Sequence, residues 1–235
     1  ELAVHNVEVT LNAQQKRVYK ELEEDSIAFL EDNPLIAELP ATKYIRLMEC
    51  TLATPSVEYD VDENGEPVQR IFFAPDAKSS KLDAILDILS DLNAEKPEPV
   101  VIYTHSRKFA DFLTNRLNDK GHRARLFAGG LKSDERISMI EDFGKQYDVM
   151  VATIQAIGTG TDGLQYRSHT EIWASVSDNH VDNLQAKGRV HRSGQEHIVN
   201  RYFLRAVGTL ELTKQAGRLA DTAKTLAQTY MEDEK

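Results

Sequence analysis

Cysteine is almost missing from this chain. Cys50 is the only one among 235 residues, so no intramolecular disulfide can form, and the sequence fits a reducing compartment. Its setting, YIRLMECTLA, reads as a small buried apolar side chain and not a nucleophile. Long apolar runs are missing too, and none approaches the roughly 20 residues that a membrane-spanning helix needs. The opening, ELAVHNVEVT, lacks the pattern of a secretory signal. It begins on Glu1 and not on Met, as expected of a piece excised from something longer. An excess of positive charge is also absent. The formal balance is −10, which weighs against a chain-wide nucleic-acid surface. The deficit is local, however. Residues 1–99 hold 9 basic and 21 acidic side chains, whereas the remainder holds 19 and 17. A nucleic-acid face is therefore confined to the second part. The histidines at 5, 105, 122, 169, 180, 191 and 197 are dispersed, with no cysteine or carboxylate at ligand spacing, so no structural metal is expected.

What is present describes an ordinary globular protein, 41% apolar and 28% charged. From Val100 onward strands alternate with helices. VVIYTH is a short β-branched run, and in the next segment Phe109, Phe112, Leu113 and Leu117 recur at helical spacing. RARLFAG, DVMVAT, EIWASV and NRYFLRA read as further strands, and Ser133 as the cap of the helix DERISMIEDFG. Apolar strands between helices predict an α/β fold, a parallel sheet covered by helices on both faces. Residues 1–99 read as a separate segment packing on this domain of residues 100–235. That segment holds a helix over LNAQQKRVYKELEEDSIAFL, another over TKYIRLMECTLA, and a β-hairpin turning at Asn64-Gly65. A charged helix closes the chain after residue 208.

The glycine pattern IGTGTDGLQ matches a dinucleotide fingerprint letter for letter, but its context does not. Only LQYRSHT separates Gly163 from the next strand, which leaves no room for the crossover helix that such a fold requires. A P-loop needs Lys and then Ser or Thr after the last glycine, and Leu164-Gln165 stand there instead. The loop is no phosphate cradle by itself. It fits half of a shared one.

In NLQAKGRVHRSGQ, Gln185, Arg189 and Arg192 fall at i, i+4 and i+7, on one face if the segment is helical. Guanidinium groups fork onto phosphate oxygens, so such a pair suits the charge of a transferring phosphoryl group. A solvated basic face has the same spacing, and spacing alone leaves both readings open.

The wording goes further. QAKGRVHRSGQ closely resembles motif VI of the Swi/Snf family of superfamily 2 helicase-like DNA translocases, roughly Q-A-x-x-R-x-H-R-x-G-Q. VATIQAIGTGTDGLQ resembles motif V, VVIYTHSRKFADFL motif IV, and VNRYFLRAVGTLE the strand and G-T-x-E that begin the closing helix. VEVTLNAQQKRVYKEL is similar to the opening of the family's second lobe, so the resemblance covers nearly the whole chain. There are departures. Ser193 replaces the usual Ile, Lys187-Gly188 stand where an acidic residue often precedes the arginine, and the lead-in lacks W-N-P. The acidic hairpin at 57–73 has no counterpart.

The resemblance implies a C-terminal RecA-like lobe of a two-lobed ATP-driven motor. ATP and Mg2+ would be held mainly by an N-terminal lobe that brings the P-loop and an Asp-Glu-x-His site. Arg189 and Arg192 would be the catalytic arginine fingers, with Gly160, Asp162 and Gln185 beside the nucleotide. His105, Ser106, Arg107, Thr153 and Gln155 would face the DNA backbone without reading sequence. Partners would be DNA, ATP and the N-terminal lobe, with no membrane. Compact motif spacing and the lack of a basic targeting run favour a bacterial or viral origin and a cytoplasmic location, with a nuclear one expected if the source is eukaryotic. A non-catalytic interaction module that keeps the lobe fold is the competing reading.

Overall fold

The computed structural model describes residues 1–30, 33–92, 98–158 and 161–212. Gly160, and residues 213–235 of the charged helix expected after residue 208, lie outside these described residues.

The core is a six-stranded sheet in which every neighbouring pair is parallel. In chain order its strands are β1 (Leu2–Val9), β6 (Val100–Thr104), β7 (Ala124–Phe127), β8 (Val149–Thr153), β9 (Thr170–Trp173) and β10 (Val199–Ala206), arranged β1-β10-β9-β6-β8-β7. The remaining strands form two small antiparallel pairs: β2 (Ile27–Phe29) with β3 (Pro34–Ile36), and β4 (Ser56–Val61) with β5 (Pro67–Phe72). The central strands VVIYT, VMVAT and TEIW are buried on both faces, which is why they lack polar alternation.

Alternate residues of these strands feed two cores. Val100, Ile102, Val149, Val151 and Ile172 meet α3 (Ser80–Leu92) and α4 (Arg107–Asp119). Val101, Tyr103, Met150, Ala152 and Trp173 meet the other layer, which includes α6 (Ile154–Gly158) and α7 (His180–Lys187). Phe143, which follows α5 (Ser133–Asp142), packs in that second core with Tyr147. A third core joins α1 (Ala13–Asp25), α2 (Pro40–Leu52) and the small strands through Val18, Leu22, Leu35, Leu47, Cys50 and Val57. The fold is α/β with helices on both faces, as the sequence predicts.

Four local expectations are corrected. The sheet does not begin at Val100, because β1 pairs with β10 in register from Leu2↔Val199 to Val9↔Ala206. This strand sits at the sheet edge, where Leu2, Val4, Asn6 and Glu8 are exposed, and His5 stacks on Tyr202 with ring centres 4.5 Å apart. The first helix stops at Asp25, where Ser26 turns left-handed (φ 63), and Ile27–Phe29 is strand. The hairpin carries a wider loop than Asn64-Gly65 alone. Asp62 N–H donates to Glu66 C=O at 2.9 Å and Gly65 takes φ +81, the left-handed position of a three-residue loop. Helix α5 begins at Ser133, with Lys132 and not Ser133 in the cap position, where the Lys132 N–H donates to the Glu135 carboxylate at 2.7 Å.

Candidate functional site

At the end of β8 the chain makes the single turn of α6 and then the glycine loop, which ends in a 3-10 turn at Leu164–Tyr166. Gly158 lies under α7. A Cβ there would stand 3.2 Å from Gln185 Oε1 and 3.4 Å from Gln185 Cβ, so the missing side chain lets the two segments approach. Asp162 and Gln165 close the loop: the Gln165 amide donates to Asp162 Oδ1 at 3.2 Å, and Gly163 N–H donates to Gln165 Oε1 at 3.1 Å.

Both arginines converge on this loop, although not from one helix face. Helix α7 ends at Lys187. Gly188 is its C-cap, and Arg189 N–H donates to Ala186 C=O at 3.0 Å, tightening the chain into a turn. The i, i+4, i+7 geometry of a continuous helix is therefore replaced by a helix followed by a turn. From that turn Arg189 Nη1 donates to Thr161 C=O at 2.6 Å, and Nη2 donates to Gly158 C=O. Arg192 Nη1 donates to Asp162 Oδ1 at 2.8 Å.

The electrostatics follow from these contacts. The Gln165 amide, then Gly163 N–H, then Arg192 hold the Asp162 carboxyl below its ordinary range. Burial, and next the neighbouring Arg192 charge, press on the Arg189 guanidinium. Arg189 Nε is buried and has no hydrogen-bond acceptor among the described residues. The described residues contain no group of three or more His, Cys, Asp or Glu able to hold a metal ion. A magnesium ion therefore has no carboxylate cage to enter among them.

The turn is anchored from below by a buried pair. Arg201 and Glu171 are direct cross-strand partners of β10 and β9, and Arg201 Nε bonds the Glu171 carboxylate. Arg201 Nη2 also donates to Lys187 C=O at 2.8 Å, which fixes the end of α7 just before Arg189.

The second group of predicted residues stands at the C-terminal ends of neighbouring strands β6 and β8, paired in register at Thr104↔Thr153. His105, Arg107 and Gln155 are exposed, Ser106 is half-buried, and Thr153 is buried at the strand end. Ser106 caps α4, accepting Phe109 N–H at 3.2 Å. Arg107 donates to Asp111 Oδ2 at 2.9 Å, and Lys108 reaches Glu49 Oε1 at 3.3 Å. Each cation on this edge therefore already has a carboxylate. The residue that organises the edge is Ser175, which no motif or spacing in the chain singles out. Its hydroxyl lies 2.9 Å from Thr104 Oγ1 and 2.8 Å from His105 Nδ1, and accepts His105 N–H at 3.1 Å. Packing around that inner edge of the ring, and next the Lys81 ammonium, hold the His105 imidazole below its ordinary pKa.

Two arginines thus converge on a loop at the C-terminal end of a strand in a parallel, RecA-like sheet. Residues 80–194 match the model of the helicase conserved C-terminal domain family. The fold is that of the C-terminal part of the Fun30 ATPase domain, with a TM-score of 0.64 at 17% identity over 90% of this chain and 87% of that one. It is also that of the Sulfolobus solfataricus SWI2/SNF2 ATPase core solved in complex with double-stranded DNA, with a TM-score of 0.64 at 19% identity over 95% of this chain and 44% of that one. In sequence the chain is 28% identical to the probable ATP-dependent DNA helicase RecS of Bacillus subtilis over 67% of its own length and 32% of that protein. It is 26% identical to the ATP-dependent RNA helicase RhlB of Shewanella halifaxensis over 65% and 37%. The chain thus spans less than two fifths of the length of these relatives.

Proposed function

We propose that this chain is the C-terminal motor lobe of an ATP-dependent DNA translocase of the Swi/Snf type, contributing arginine fingers and DNA-backbone contacts. The observation that carries this reading is the convergence of Arg189 and Arg192 on the 158–162 loop. A merely solvated basic face would point away from the fold. ATP with Mg2+, held mainly by an N-terminal lobe of the same protein, supplies the phosphoryl group.

Arg189 and Arg192 donate to the γ-phosphoryl oxygens as negative charge spreads over them in the transition state. Gln185, lying on Gly158, keeps the turn and the loop at one spacing, and Asp162 lies beside the nucleotide. Asp162 acts through Arg192 and not as a phosphate ligand, because two anions repel. His105, Ser106, Arg107, Thr153 and Gln155 line the edge that follows the DNA backbone, where hydroxyl and guanidinium donors bind phosphate in any sequence. Without the N-terminal lobe the chain turns over no ATP.

The test is ATP hydrolysis by the full-length protein with and without nucleic acid. Stimulation by duplex DNA of any sequence, falling steeply with added salt, is the expected result. Stimulation by RNA alone, or none by either, contradicts the reading.

A further inference from the structure

The central strands VVIYT, VMVAT and TEIW hold one carboxylate between them, Glu171. It is fully buried, and Arg201, its direct neighbour on β10, is 5% exposed. Burying two charges costs much of what their attraction returns, and a pair of apolar side chains often serves a core as well or better. Stability alone does not call for this pair.

What the pair holds is more telling. Arg201 and Glu171 are in register on adjacent strands, so the sheet itself sets the direction of the guanidinium. Arg201 Nε bonds the Glu171 carboxylate, and the Trp173 indole N–H donates to the same carboxylate oxygen at 3.3 Å. The other arm of the fork, Nη2, donates to Lys187 C=O at 2.8 Å. That carbonyl belongs to the last residue of α7, where a helix leaves its acceptors unpaired and where a cation is favoured. Lys187 is held a second time through its side chain. Its ammonium lies 5.9 Å from the centre of the Trp173 ring and 5.5 Å from that of Phe203, each ring two positions along the strand from a member of the pair. The end of α7 is thus pinned to the sheet at two points. Only Gly188 separates this clamp from Arg189, whose guanidinium reaches the Thr161 and Gly158 carbonyls.

We infer that Glu171 and Arg201 are positioning residues for the proposed ATP hydrolysis, acting through Lys187 to hold Arg189 in place. This rests on the reading of Arg189 as a phosphate-contacting residue. Both members of the pair are too deeply buried to meet the nucleotide, so their whole effect passes through the turn. A pair with a merely structural role changes stability and leaves the transition state alone.

The experiment is steady-state ATP hydrolysis by the full-length protein at saturating DNA, run below the melting temperature of every variant. The double change Glu171→Leu, Arg201→Met removes both charges together, so it should melt near wild type. Its kcat should nevertheless fall about 10- to 100-fold, the scale on which an ångström of misplacement acts, with little change in KM for ATP. Arg201→Lys keeps a charge beside Glu171 but loses the second arm of the fork, and should lose kcat in the same way. That variant carries the test if the apolar pair does not fold. Glu171→Gln keeps an acceptor for Arg201 Nε and should keep most of kcat. Added to Arg189→Ala, the apolar pair should cost nothing further, because it acts only through that arginine. Wild-type kcat in the apolar pair and in Arg201→Lys, or losses that multiply with that of Arg189→Ala, would overturn the inference and leave the arginine reading standing. If Arg189→Ala itself keeps wild-type kcat, the arginine reading fails and the inference falls with it.

Discussion

Arg192 and Asp162 form a 2.8 Å ion pair on the surface of the glycine loop, both side chains well exposed. The guanidinium read as a phosphate contact thus rests on a carboxylate within the same site. An exposed pair is weak, so it is readily exchanged for a phosphate. Asp162→Asn keeps the size of the side chain and removes its charge. It should tighten nucleotide binding by the full-length protein a few-fold at most and leave thermal stability unchanged. Weaker nucleotide binding in the Asn variant would mean that Asp162 contacts the nucleotide directly.

A second pair is structural. Lys81, fully buried at the start of α3, donates to Glu211 Oε1 and to Ala174 C=O, each at 2.6 Å, and Glu211 Oε2 accepts Ala206 N–H at 2.8 Å. This one cluster ties α3, the end of β9 and the end of β10 together. Removing one partner of a buried pair leaves the other charge uncompensated, at a cost of about 3–5 kcal/mol. Glu211→Ala should lose stability on that scale in urea unfolding. The double change Lys81→Met, Glu211→Leu should recover much of it, because apolar replacements remove both charges. A double variant as unstable as the single one would refute this account.

His105 gives a pH dependence. Its folded pKa lies below the ordinary value near 6.5, because packing against the Nδ1 edge of an otherwise exposed ring, and next the Lys81 charge, disfavour the imidazolium. Below about pH 6.5 the unfolded chain binds a proton that the folded chain resists, so stability falls as pH drops and levels off beneath the folded pKa. His105→Asn should reduce this loss. The check is the melting temperature at pH 7.5 and at pH 5.5 for both proteins, and equal differences would dismiss His105 as a contributor.

The layered architecture was legible because its causes are local. VVIYT and VMVAT are apolar on both faces, and Phe109, Phe112, Leu113 and Leu117 repeat at helical spacing. The edge strand β1 was not, since half of LAVHNVEV faces outward and its polar residues conceal the pairing with β10. The arginines could be found by their wording. Their geometry could not, because Gly188 ends α7 and the convergence on Gly158 and Thr161 depends on how the turn packs. Ser175 and Arg201 gave no sign at all. One acts through hydroxyl contacts with the neighbouring strand β6, and the other through a carboxylate 30 positions earlier.

The central claim is that Arg189 and Arg192 stabilise a transferring phosphoryl group. It is tested most directly by steady-state ATP hydrolysis of the full-length protein at saturating DNA, alongside nucleotide binding followed by fluorescence. Arg189→Ala or Arg192→Ala should lower kcat by about 10³-fold, the scale of arginine-finger loss. Nucleotide affinity should change far less, as expected for a contact made mainly in the transition state. Arg→Lys at either position should not rescue, because an ammonium keeps the charge and loses the fork. Wild-type kcat in both alanine variants would contradict the account.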